Sequence, residues 1–307
     1  MGLTGLLPEP DTVGEFDVET SVTDFRDAIR SKDFVITVEP PLHTRLTRES
    51  LCQTFEQLAG RVDAVQLGDN EEAEGHSSPL AIASIALAQG VDPVVHISAR
   101  DRNRIALHAD ILGAAILGAT SVVLKRGSKL PAALKGRVKG VFDSRTAQML
   151  ELGTRLNETS PAIAPPGLLL GSMITVIDPE PNWTAERIRE KLDAGASFLQ
   201  SRPCLDIEWL TRYAAALVAL KLTHRATFMA AVPLLTTAHD LRWMNENFPD
   251  TVISSSLPER LLGASDPRLE GIKACRETLE ALREVPGISG VNLIYRGDVA
   301  DIVDVLR

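Results

Sequence analysis

Short runs of β-branched and other apolar residues recur along the chain, and between them apolar residues return at helical spacing. Continuous apolar runs of this length, bounded by turn residues, predict strands buried on both faces. The expected strands are Phe34–Pro40, Ala64–Gly68, Pro93–Ser98, Ser121–Arg126, Leu168–Val176, Phe198–Arg202, Thr227–Pro233 and Val291–Tyr295. Helical patterns such as ESLCQTFEQLAG, SSPLAIASIALAQG, RNRIALHADILGAAILG and TAERIREKLDAGA lie between them. The junctions LAQGVDPVV, ILGATSVV and LDAGASFLQ repeat one design, in which a glycine closes a helix and a buried strand follows. Strands alternating with helices in this way predict an α/β fold, a single-domain (β/α)8 TIM barrel over residues 23–307. Residues 1–22, rich in Pro, Gly and acids, read as an N-terminal extension. A doubly wound open sheet would carry a glycine-rich phosphate turn after its first strand, and EPPLHTR has none.

Composition adds boundaries. The chain has 307 residues, 44% of them hydrophobic and 24% charged, with a net charge of −9. That charge provides no basic footprint for nucleic acid or for an anionic membrane surface. No apolar stretch reaches the length of a membrane span, and the N-terminal residues lack the pattern of a secretory signal. Three widely separated cysteines suit a reducing cytoplasm and neither a disulfide framework nor a zinc cluster. The expectation is a cytoplasmic protein.

Barrels carry their chemistry at the C-terminal ends of the strands. That rule selects Glu39, Gln66 to Asn70, His96 to Arg100, Lys125 to Ser128, Thr175 to Asp178, Gln200 to Arg202, and Tyr295 with Arg296. Glu39 ends the first buried strand and is walled by Pro40 and Pro41. A carboxylate there either pairs with an arginine such as Arg45 or Arg126, or is a desolvated general acid with a raised pKa. His96 reads as a packed hydrogen-bonding group or as a site residue, without a second His or Cys at metal-ligand spacing. SARDRNR reads either as a salt-bridged helix start or as an arginine anchor for an anion. LKRGSK, with its glycine and two basic residues, reads as a solvated loop or an anion site.

Three segments taken together resemble the methylenetetrahydrofolate reductase family: EPP at 39–41, DPVVHISARDRNRIALHADILGAAILGATSVVLKRG at 92–127, and REKLDAGASFLQSRPCLD at 189–206. The resemblance runs from about Asp33 to the C-terminus. It implies reduction of 5,10-methylenetetrahydrofolate to 5-methyltetrahydrofolate, with FAD relaying hydride from NAD(P)H. Glu39 matches the acid that opens the folate's five-membered ring. His96, Arg126, Gly127 and Ser128 match positions by the flavin, and Lys191, Ala194 and Gly195 match the site of the FAD phosphates. Gln66, Gly68, Asp178, Gln200, Arg202 and Tyr295 fall where the family meets the folate. Family members commonly self-associate, which implies a homo-oligomer.

The chain also departs from that pattern. Ser128 stands where the family has an aspartate against the flavin, Gly68 where it has a threonine, and Arg202 where a glutamine contacts the pterin. Asp178 and Thr237 stand at aromatic positions. The proton donor is thereby retained while the surroundings of the hydride donor differ, so a flavin-independent folate reductase and a non-catalytic folate-binding barrel remain as alternatives.

Overall fold

The structure, a computed structural model, describes residues 24–43, 45–70, 73, 76–131, 134, 136–248, 251–254 and 256–307. The extension expected over 1–22 lies outside the described residues. Eight parallel strands close a barrel in sequence order: β1 (Val35–Glu39), β2 (Ala64–Leu67), β3 (Pro93–Ser98), β4 (Ser121–Lys125), β5 (Leu169–Ile174), β6 (Phe198–Ser201), β7 (Thr227–Pro233) and β8 (Gly290–Ile294). The β1–β8 seam pairs Thr37 with Asn292 and Glu39 with Ile294. This is the expected (β/α)8 barrel. Most strands end a residue or two earlier than the apolar pattern suggested.

Helix α1 (Phe25–Ser31) precedes the barrel. The outer layer is α2 (Arg48–Leu58), α3 (Pro79–Ala88), α4 (Arg104–Leu117), α5 (Thr146–Thr159), α6 (Glu186–Asp193) and α7 (Ile207–Ala219), followed after β7 by α8 (Ala238–Asn247), α9 (Ser256–Gly263) and α10 (Pro267–Arg283), and after β8 by α11 (Val299–Val305). Gly118 ends α4 with φ +95°, the left-handed cap that the glycine-terminated junctions predict. No helix among the described residues is long and apolar enough to cross a membrane.

The alternation of side chains along each strand divides the barrel's interior by height. The lower layer is apolar: Val35, Ala64, Val94, Val123, Leu169, Phe198 and Met229 pack around Phe25 and Ala28 of α1. Phe25 is fully buried, with its ring edge-on to Phe198 at 5.3 Å. Helix α1 therefore plugs the N-terminal end of the barrel. Its entry is pinned by Asp92, whose Oδ2 accepts from the Phe25 backbone N–H and the Thr120 hydroxyl, each at 2.8 Å. Burial pushes the Asp92 carboxyl up to about 6.

Candidate active site

Two residues above the apolar layer, the same inward-facing positions become polar. Thr37, Gln66, His96, Gln200 and Asn292 are all buried inside the barrel. They form one chain of hydrogen bonds. Lys125 Nζ donates to His96 Nδ1 at 3.5 Å, and His96 Nε2 meets Gln66 Oε1 at 2.7 Å. Gln66 Nε2 donates to Thr37 Oγ1 at 2.9 Å and also to Gln200 Oε1. The Thr37 hydroxyl donates to Asn292 Oδ1 at 3.0 Å, and Asn292 Nδ2 donates to Glu39 Oε2 at 2.9 Å. Gln200 Nε2 is buried without a hydrogen-bond partner among the described residues.

Glu39 ends β1 at the mouth, half-buried beside Gly68. Among the described residues it accepts from Asn292, and neither arginine that the sequence offered is seen to pair with it. Arg126 lays its guanidinium over the Phe142 ring at 4.5 Å. Glu39 and Gly68 line a cleft of about 780 Å³ with Pro40, Pro41, Trp243, Phe248, Tyr295 and Arg296. Trp243 and Phe248 meet edge-on at 5.5 Å, and the Arg296 guanidinium lies 4.0 Å from the Trp243 ring. These ring faces suit a flat heteroaromatic ligand. His76 reaches the same cleft, and the Asp69 carboxylate, 3.7 Å from its Nε2, raises its pKa above the usual histidine value.

A second cleft, of about 640 Å³, opens on the other side of Phe248. Lys125, Arg126 and Arg202 line it together with the hydroxyls of Ser128, Ser172 and Thr175. Gly127 brings the chain across this floor with φ +84°, and a Cβ there would come within 2.2 Å of Ser98 Oγ. Among the described residues, its lining includes three cations and no carboxylate, which suits an anionic ligand.

The structure therefore places the expected site residues in separate groups. Glu39, Gly68 and Tyr295 share the first cleft, and Arg126, Gly127, Ser128 and Arg202 share the second. Gln66, His96 and Gln200 form the buried link beneath them. Lys191 tucks its ammonium against the Met173 carbonyl of β5, where burial lowers its pKa to about 8. Ala194 and Gly195 lie between α6 and β6, at the opposite end of the strands from the mouth. Asp178 is half-exposed and pairs with Arg212 of α7 at 3.0 Å.

Two of the three arginines of SARDRNR are spent internally, while Arg104 is exposed and reaches the Asp143 carbonyl at 3.3 Å. Arg100 donates to the Asn70 carbonyl at 2.6 Å, and Arg102 pairs with Asp69 at 2.7 Å. Burial works against ionisation of Asp69, yet His76 and Arg102 hold its carboxyl down at about 2. The segment is thus the salt-bridged helix start, with Asn103 as the N-cap of α4.

Sequence reasoning missed Thr37, Asn292, Trp243, Phe248 and His76. For Thr37 and Asn292 a signal existed, since each is a lone polar residue on an inward position of an apolar strand. Trp243 and Phe248 belong to α8 and its end, where an aromatic reads as ordinary helix packing.

The fold and this mouth define a (β/α)8 barrel with a carboxylate cleft and a cationic cleft side by side. No protein-family model and no curated protein sequence matches the chain. Among solved structures, the chain is similar to an uncharacterized protein from Clostridium thermocellum that binds two copies of 5-methyl-5,6,7,8-tetrahydrofolic acid. The superposition covers 92% of this chain and 96% of that one, with a TM-score of 0.66 and 12% identity. At that identity the likeness establishes the shared architecture.

Proposed function

We propose that this chain is a folate-dependent oxidoreductase that reduces 5,10-methylenetetrahydrofolate to 5-methyltetrahydrofolate, with Glu39 as its general acid. The observation that carries the reading is the Glu39 carboxylate, tied to Asn292 at 2.9 Å in an aromatic-walled cleft. The barrel's likeness to a protein that binds 5-methyltetrahydrofolate supports the substrate class. Neutral Glu39 delivers its proton to the bridging nitrogen of the folate, and the electrons of the breaking C–N bond stay on that nitrogen. The methylene carbon is left as an iminium that accepts hydride. Gly68 leaves space beside the acid, while Trp243, Phe248 and Tyr295 offer ring faces to the pterin.

The charge of the second cleft supports an anionic cofactor such as FAD, which Arg126, Gly127 and Ser128 would hold by its flavin, as the family resemblance implies. When bound, FAD supplies the hydride that NAD(P)H provides. One observation favours a flavin-independent reductase or a folate-binding barrel instead: Ser128 stands where the resemblance implies an aspartate, and no carboxylate lines this cleft among the described residues.

The test is turnover of methylenetetrahydrofolate by the purified protein with and without added FAD, beside the Glu39→Gln variant. Expected are loss of turnover in Glu39→Gln and unchanged binding of 5-methyltetrahydrofolate. Full turnover in Glu39→Gln refutes the acid, and absence of folate binding by the unmodified protein refutes the reading.

A further inference from the structure

The polar chain inside the barrel has a single sense. It begins at Lys125, whose ammonium offers only donors, so His96 Nδ1 must accept and Nε2 must carry the ring proton. That proton requires the oxygen of the Gln66 amide, which turns the Gln66 nitrogen toward Thr37. Thr37 Oγ1 accepts there and directs its own proton to Asn292 Oδ1 at 3.0 Å, the nearer of its two acceptors, the Val291 carbonyl being at 3.3 Å. The Asn292 amide is thereby prevented from flipping, and its nitrogen faces Glu39 Oε2. Every member below Glu39 is buried, so water does not compete for these bonds.

We infer that Thr37 and Asn292 are positioning residues that decide which oxygen of Glu39 carries the acid proton. The carbonyl oxygen of a neutral carboxyl is a stronger acceptor than its hydroxyl oxygen, so the Asn292 donor makes Oε2 the carbonyl. The proton sits on Oε1, the oxygen beside Gly68, which lines the first cleft with Glu39. After transfer, the carboxylate keeps the Asn292 bond at Oε2, so the chain need not rearrange during turnover. The inference rests on Glu39 being the acid of the proposed reaction.

Neither Thr37 nor Asn292 lines a cleft, so their effect belongs in kcat and not in ligand affinity. The test compares Thr37→Val, Thr37→Ser and Asn292→Leu by kinetics and by pH-difference infrared spectroscopy. The protonated Glu39 carbonyl band is the one missing from Glu39→Gln. Expected are a band shift to higher wavenumber in Thr37→Val and Asn292→Leu, and the unmodified position in Thr37→Ser. Turnover falls roughly tenfold in the first two with KM kept within about twofold, and Thr37→Ser restores it. An unshifted band in Asn292→Leu overturns the inference, whatever the kinetics, as does full turnover in both defective variants. If Thr37→Val does not fold, the Asn292→Leu band decides alone. If the unmodified protein binds folate without turning it over, the proposed reaction fails while the infrared comparison still decides the inference.

Discussion

Asn292 Nδ2 donates to Glu39 Oε2 at 2.9 Å across the seam where β8 meets β1, the first and last strands of the barrel. The acid is therefore tied to the residue that pairs two positions below it on the neighbouring strand. The opposite oxygen faces Gly68, where an added Cβ would lie only 2.6 Å from Oε1.

Gly68→Ala should push the carboxylate off Asn292 without disturbing the core, because the atom that must move is the end of a flexible side chain. Turnover is expected to fall about tenfold or more while stability changes by less than ~1 kcal/mol. Steady-state kinetics beside a urea melt check both.

Phe25→Ala should remove the plug from the lower end of the barrel. A fully buried ring that packs against Phe198 is lost, so the unfolding free energy should drop by about 3–5 kcal/mol. Chemical denaturation measures this, and a loss below ~1 kcal/mol would show that α1 is not part of the folded core.

Asp92 gives stability a pH dependence of known sign. Its folded pKa is raised to about 6, so the folded state binds the proton more tightly than the unfolded state. That contribution is complete below about pH 4 and is lost as pH rises through about 6. Asp92→Asn keeps an acceptor for Phe25 and Thr120 and should stabilise the protein by ~2–3 kcal/mol at neutral pH, with the advantage fading in acid. Thermal melts across that range test it; equal shifts at all pH values would contradict the assignment.

Phe248→Ala should merge the two clefts, because this ring lines both. It also removes the face beneath Arg202, whose guanidinium lies 5.6 Å from the ring centre. Affinity for 5-methyltetrahydrofolate is expected to weaken by about tenfold, read by calorimetry. Unchanged affinity would place the folate away from this wall.

The barrel was legible because its strands are buried on both faces and therefore read as unbroken apolar runs between glycine-closed helices. Glu39 was legible for the same reason, as a charge at the end of such a run. Asn292 was harder, since one asparagine in VNLIY carries no sign of its partner, which lies on the opposite end of the chain. SARDRNR misdirected in part: its arginines look available to an anion, and only the closeness of the β2 and β3 ends shows that Asp69 and the Asn70 carbonyl already occupy Arg102 and Arg100. Helix α1 was missed because a seven-residue helix has too few turns to display a periodic face.

The layering of the interior has a consequence for how such a protein can change. Positions 35, 64 and 94 hold the barrel shut, whereas 37, 66 and 96, one pleat higher, carry the hydrogen-bonded chain that lies beneath the clefts. Mutations in the upper tier can be tried in concert without loosening the sealed base, so a lineage could exchange one reaction for another atop an unaltered foundation. A library randomised only at the upper tier should return many folded variants with altered ligands, and one randomised only at the lower tier few.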